Sequence, residues 1–225
     1  MRGALVVLEG GEGVGKTTQL TRLAARVRRA GFTVVIVREP GGTPLGDDVR
    51  RLLLTAPHAI VPRAEALLFM ASRAQLVEDV MRPAIDGGHV VLADRFFLST
   101  YAYQSVGRGL DEAAVRSTNT FATGGLVPDV TLLMDLPLGH GLARATSRAE
   151  PDRLERSGDA FHQRVALAFR DFAAPDWQAR HPECGPIELV NAAGSESEVE
   201  ARLWERLLQR LPETFSAAYG SQTGI

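Results

Sequence analysis

The sequence predicts an α/β fold, a five-stranded parallel sheet covered by helices on both faces. Three observations lead there. Short apolar runs alternate with longer amphipathic segments, the rhythm of parallel strands joined by helical crossovers. The apolar runs lack polar alternation, as befits strands buried on both faces. A glycine-rich turn, Gly10-Gly11-Glu12-Gly13-Val14-Gly15-Lys16-Thr17, joins the first run to the first helical pattern.

The first strand is Ala4 to Glu9. A helix from Lys16 to Ala30 follows, with Leu20, Leu23, Ala24 and Val27 on one face and Gly31 closing it. The second strand runs from Thr33 to Arg38, and Thr43 before Pro44 starts a helix that reaches Leu54. A long helix from Arg63 to Ala84 leads to the third strand, His89 to Asp94. Then come a helix from Asp111 to Thr123, the strand Asp129 to Asp135, a helix from Leu138 to Ser147, and a long helix near Ser157 to Ala173. Pro186 to Asn191 is the fifth strand, and Ser195 with Glu198 makes a capping box for a last helix, Glu196 to Leu211. Two stretches break the rhythm. Residues 147–158, SRAEPDRLERSG, are charged and contain Pro151, the composition of a solvated loop. Pro212 to Ile225 is polar with glycine and serine, so loose order is expected there. A chain of 225 residues without a repeat fits a single domain.

Composition excludes several classes. A net charge of -2 gives no broad electrostatic footprint for nucleic acid or an anionic membrane. Any polyanion must therefore meet a local arginine cluster. No apolar run approaches the roughly 18 residues that span a bilayer, and no signal-like segment opens the chain. Cys184 is the only cysteine and the five histidines are scattered, which argues against an internal disulfide or a zinc site and for a reducing cytoplasm.

Lys16 is the one lysine among 25 basic residues. Its place in G-x-x-x-x-G-K-[ST] calls for a compact ammonium on a phosphate cluster, which a planar guanidinium supplies poorly. In such a loop, backbone N–H groups converge on phosphate oxygens, the helix N-terminus adds favourable partial charge, and the Thr17 hydroxyl can ligate magnesium. Asp94, ending an apolar strand, is the matching carboxylate for the magnesium shell; alone it would read as a cap or turn residue. A guanine reader of the Asn-Lys-x-Asp type needs a second lysine and is excluded. Helicases and motors generally need longer chains and added modules, which puts small-molecule phosphoryl transfer ahead on length.

Arg38, Arg50, Arg73 and Arg95 fall just past strand ends or in the following helices, where ligands collect in an open parallel sheet. Each alone reads as a surface arginine. Together they suggest an acceptor that is itself a dianion, whose ionised oxygen needs no general base. Phe69 and Arg73 stand four residues apart on one helix face, where the ring can stack on a base and the guanidinium can bond its edge. Leu76 and Val80 continue that stripe, so Phe69 suits a core position as well.

These motifs, in order, resemble the thymidylate kinases, which use ATP to convert dTMP into dTDP. The resemblance covers nearly the whole chain: Glu9 to Gly13 through Lys16-Thr17-Thr18, Arg38-Glu39-Pro40-Gly41-Gly42-Thr43, Phe69 to Arg73, Asp94-Arg95-Phe96 with Ser99 to Gln104, Pro128-Asp129, and Asp152-Arg153-Leu154-Glu155. It implies a P-loop nucleoside monophosphate kinase-like fold with a small lid at about 146–158, ATP as co-substrate, Mg2+, dTMP as substrate, and a homodimer. It further implies that Glu12 accepts the deoxyribose 3'-hydroxyl and that Arg38, Arg50 and Arg95 hold the acceptor phosphate. Phe69 and Arg73 would clamp thymine, Thr100 and Gln104 would read its far edge, Tyr103 would crowd the 2' position, and Pro40, often preceded by a cis peptide, would pack near the base. Family members carry a catalytic arginine either in the P-loop or in the lid. Gly13 stands at the P-loop position here, so Arg148 and Arg153 become the lid cations, as in many bacterial members. Phe96 replaces the more usual tyrosine, and Thr146 stands where some lids have another arginine. The competing readings are a deoxynucleoside kinase, disfavoured by the arginine cluster and Glu12, and a P-loop ATPase switch with no nucleotide acceptor.

Overall fold

The computed structural model describes residues 2–136 and 153–215. Five strands, β1 (Ala4–Glu9), β2 (Val34–Arg38), β3 (Val90–Asp94), β4 (Val130–Asp135) and β5 (Ile187–Asn191), form one parallel sheet in the order β2-β3-β1-β4-β5. The sequence runs of β1 and β3 are apolar without alternation because both faces are covered. Leu5 and Val7 join one core with Val91, Leu76, Tyr101 and Phe169, while Val6 and Leu8 join the other with Leu92, Leu23, Val27 and Trp204. The two-residue period of a strand divides one hydrophobic run between two cores.

The helices are α1 (Lys16–Arg29), α2 (Pro44–Thr55), α3 (Pro62–Leu76), α4 (Arg82–Asp86), α5 (Phe97–Thr100), α6 (Glu112–Thr123), α7 (Asp159–Asp171), α8 (Pro175–Arg180) and α9 (Glu196–Arg210). Local chemistry sets their starts. Thr43 accepts from the Gly46 N–H at 3.0 Å with Pro44 in the first turn, and Ser195 and Glu198 close the expected capping box.

The long helix expected from Arg63 to Ala84 is divided by a wider π-helical turn at Val77–Met81. Two elements were not foreseen. α5 runs into a second π-helical stretch, Tyr101–Gly107, and Phe97, Leu98, Tyr101, Ala102 and Tyr103 are all buried, so no amphipathic stripe announces this segment. α8 has only six residues. The expected helix Leu138–Ser147 lies outside the described residues. Of the tail, Pro212–Phe215 forms one helical turn whose Phe215 is completely buried against Phe32 and Trp204, so packing extends further than its composition suggests. No helix among the described residues is long and apolar enough to cross a membrane.

Parallel register brings the carboxyl ends of β1, β2 and β3 to one edge, with Asp94 paired to both Leu8 and Arg38. The glycine-rich turn leaves from the same edge.

Candidate active site

β1 passes into the P-loop at Gly10, whose φ is 140° and where an added Cβ would lie 2.4 Å from the Met134 carbonyl oxygen. Only glycine lets the chain turn so close to β4. Val14 anchors the loop in the core beside α1, and Gly15, in the left-handed region, precedes the helix. Lys16 is buried, and its Nζ donates to the carbonyls of Gly10 at 3.0 Å and Gly11 at 2.8 Å. Burial disfavours its charged form, the nearby Arg95 charge adds to this, and the pKa falls to about 8. An ammonium solvated by loop carbonyls exchanges them favourably for phosphate oxygens. Thr17 Oγ1 donates to Asp94 Oδ2 at 3.3 Å. A hydroxyl and a carboxylate are hard oxygen donors, and their closeness fits magnesium, which draws most of its shell from phosphate and water.

Arg95 follows β3 in the left-handed region, with φ 73°. Glu9, wholly buried, holds that turn by accepting from Phe96 N at 2.7 Å, Ser99 N at 3.0 Å and Ser99 Oγ at 2.7 Å. The Arg95 guanidinium donates to Ser99 Oγ at 2.8 Å and to Glu12 Oε1 at 2.7 Å. Tyr103 OH donates to the same Glu12 oxygen at 2.6 Å. Burial raises the Glu12 pKa, but the charges of Arg95 and Lys16 and the Tyr103 hydroxyl outweigh it and bring the value to about 2. Burial chiefly pushes the Tyr103 phenol upward, so it stays a donor.

Arg73, on α3, is buried and ion-paired with Glu39. Nε donates to Glu39, Nη1 to Thr100 Oγ1 at 2.8 Å and to Asn119 Oδ1, and Nη2 to Glu39 and to the Phe96 carbonyl at 2.9 Å. Protein acceptors thus engage every N–H of this guanidinium. Burial raises the Glu39 pKa against the opposing charge of Arg73. The Glu39–Pro40 peptide is cis. Arg50 Nη1 donates to the Pro40 carbonyl at 3.0 Å, and Arg38 is exposed.

One cavity of about 660 Å³ joins these groups. Its walls include Glu12, Gly13, Gly15, Lys16, Thr17, Thr18 and Asp94 on the P-loop side, and Arg38, Pro40, Arg50, Phe69, Arg73, Arg95, Thr100, Tyr103 and Gln104 beyond them. The volume is that of a small-molecule site. A sequence profile described as Thymidylate kinase matches residues 8–191.

The chain belongs to the thymidylate kinase family.

Relatives include "Thymidylate kinase" of Deinococcus radiodurans, 46% identical over 209 residues, spanning 93% of this chain and 98% of the relative. A second, from a Synechococcus strain, is 48% identical over 207 residues, spanning 92% and 95%. The crystal structure of thymidylate kinase from Ehrlichia chaffeensis superposes with a TM-score of 0.71 at 25% identity, covering 92% of this chain and all of the other. The five-stranded α/β architecture is that of the thymidylate kinase family.

Arg153 is not among the cavity's lining residues, although Leu154 is. Its Nε donates to the Leu53 carbonyl at 2.6 Å and its Nη2 to Glu65 Oε2 at 2.6 Å. The position expected for a cation aimed at phosphate here ties residue 153 to α2 and α3. Arg148 lies outside the described residues. Glu9 and Glu39 stand within quoted motifs but had no role assigned, and Glu65 and Asn119 were passed over; all four are buried polar groups that hold the site's arginines and turns. No local motif marks Glu65 or Asn119, which only burial distinguishes.

Proposed function

We propose that this thymidylate kinase family member transfers the terminal phosphoryl group of ATP, with Mg2+, to the phosphate of dTMP, giving dTDP and ADP. An acceptor oxygen, already ionised, attacks the γ-phosphorus in line while the bond to the β-γ bridging oxygen breaks, and ADP carries away that oxygen. The single supporting observation is that the P-loop lysine shares one cavity with Arg38, Arg50, Arg95, Phe69 and Gln104. Lys16 would leave its loop carbonyls for the β- and γ-phosphates, and P-loop backbone N–H groups would cradle them. Thr17 and Asp94 would hold the magnesium ion, which neutralises phosphate charge when bound.

In this reading Arg38, Arg50 and Arg95 neutralise the acceptor phosphate, Glu12 accepts the 3'-hydroxyl, and Tyr103 occupies the space a 2'-hydroxyl would need. Phe69 stacks on thymine, Thr100 and Gln104 face its far edge, and Pro40 packs beside it. A base carbonyl would replace Thr100 or Asn119 as an acceptor on Arg73. Arg148 and Arg153 are the lid cations, the latter after exchanging Glu65 for phosphate. A homodimer is also proposed, supported by Leu67 on α3 and Phe121 on α6, exposed by 59% and 88% on adjacent helices. The cytoplasm, where a buried free Cys184 stays reduced, is the proposed location.

The test measures ADP release with ATP alone, with thymidine, and with dTMP, dUMP or dCMP. Release that needs a nucleoside monophosphate and is fastest with dTMP is expected. Equal release with thymidine would point to a nucleoside kinase, and release without any acceptor to an ATPase switch.

A further inference from the structure

Glu65 lies in the first turn of α3, four residues before Phe69, and is completely buried. It accepts from Arg108 Nε at 3.0 Å and Nη2 at 3.2 Å, from Arg153 Nη2 at 2.6 Å, and from Gln104 Nε2 at 3.3 Å. Glu65 is outside the cavity lining, whereas Gln104 is part of it. The carboxylate thus stands behind the glutamine, away from the substrate.

We propose that Glu65 is a positioning residue that fixes which end of the Gln104 amide faces the base, and so sets the choice of thymine over cytosine. The inference rests on the base-facing role proposed for Gln104. A carboxylate ion-paired with two guanidiniums offers acceptors only, so it selects the NH2 end of a neighbouring amide. The reversed amide would set Oε1 against a carboxylate oxygen, two acceptors in contact. With Nε2 engaged, Oε1 is the end presented to the cavity. An acceptor there takes the N3–H of thymine and opposes the N3 lone pair of cytosine. The carboxylate therefore acts on selectivity through a second residue, without touching the nucleotide.

Calorimetric dissociation constants for dTMP and dCMP, measured on the full chain, test this. Glu65→Gln can donate or accept, so it no longer dictates the amide's orientation, and the preference for dTMP over dCMP should fall by about tenfold or more. Gln104→Met should lose the same preference, and the double variant should lose no more than either single one. If Glu65→Gln does not fold, Glu65→Asp retains a charge for both arginines while drawing the carboxylate back from Gln104, and it should also lower the preference. A packing role alone would weaken both nucleotides equally. A folded Glu65 variant with the wild-type ratio, beside a Gln104→Met variant that has lost it, overturns the proposal. Gln104→Met with the wild-type ratio overturns it at its footing, whereas a wild-type chain that binds dTMP but releases no ADP contradicts only the proposed reaction.

Discussion

Arg73→Met tests the buried ion pair at the centre of the site. The Arg73 and Glu39 side chains are 3% and 5% exposed, and Glu39 takes both Nε and Nη2 of the guanidinium. Methionine roughly preserves the packing volume but leaves a carboxylate buried with no charge opposite. Breaking a buried pair in this way costs about 3–5 kcal/mol. For a domain of this size the loss corresponds to about 6–20 °C in Tm. The sign of the pH dependence follows from Glu39. Burial already raises its pKa above 4.5 while the Arg73 charge opposes the rise. Without Arg73 the folded-state value climbs further, so the folded variant binds a proton that the unfolded chain releases. The deficit is therefore full above that raised value and shrinks as pH falls through it. Urea melts of wild type and variant at about pH 8 and about pH 5 should show the gap narrowing. Glu39→Gln added to Arg73→Met should recover most of the loss, because the amide carries no charge to strand. A pH-independent deficit below about 1 kcal/mol would refute the reasoning, since it would mean that water reaches Glu39 once the arginine is gone.

Three further outcomes are expected. Glu12, its pKa lowered to about 2 from 4.5, contributes stability that is present above about 4.5 and lost as pH falls toward 2; the advantage of wild type over Glu12→Gln in acid melts should vanish across that interval. Phe215→Ala, removing a ring buried between Phe32 and Trp204, should cost about 3–5 kcal/mol by denaturant titration, and an unchanged midpoint would show that the tail does not pack. Arg148→Ala should lower kcat by about 10³-fold with little change in dTMP KM, whereas Arg153→Ala should also lower Tm, because Glu65 and the Leu53 carbonyl lose a donor.

The strands were legible because their period and apolarity are local. Each of the five appears within a residue of its expected start. The P-loop was legible because its glycine spacing is dictated by backbone geometry, as the Gly10 approach to Met134 illustrates. Residues 97–107 were not, since nearly every side chain there is buried and leaves no stripe, and the aromatic and β-branched residues have weak helical preference. The arginines could be found by their place after strand ends, but their tasks could not be divided. Arg73 shows why: its surroundings come from Glu39, Phe96, Thr100 and Asn119, which are remote in sequence and meet only in the fold. Arg153 likewise has its partners on α2 and α3 rather than among neighbouring residues.

Glu65, Phe69 and Arg73 recur every fourth residue along α3, a spacing of about 6 Å per step on one rigid rod. An inserted or deleted residue between any two of them would rotate the later side chains by about 100° about the rod axis. Length changes in this segment are therefore forbidden even though Leu67 beside it is open to solvent. Any change in these three side chains therefore has to come by point replacement, with the frame of the stripe held constant.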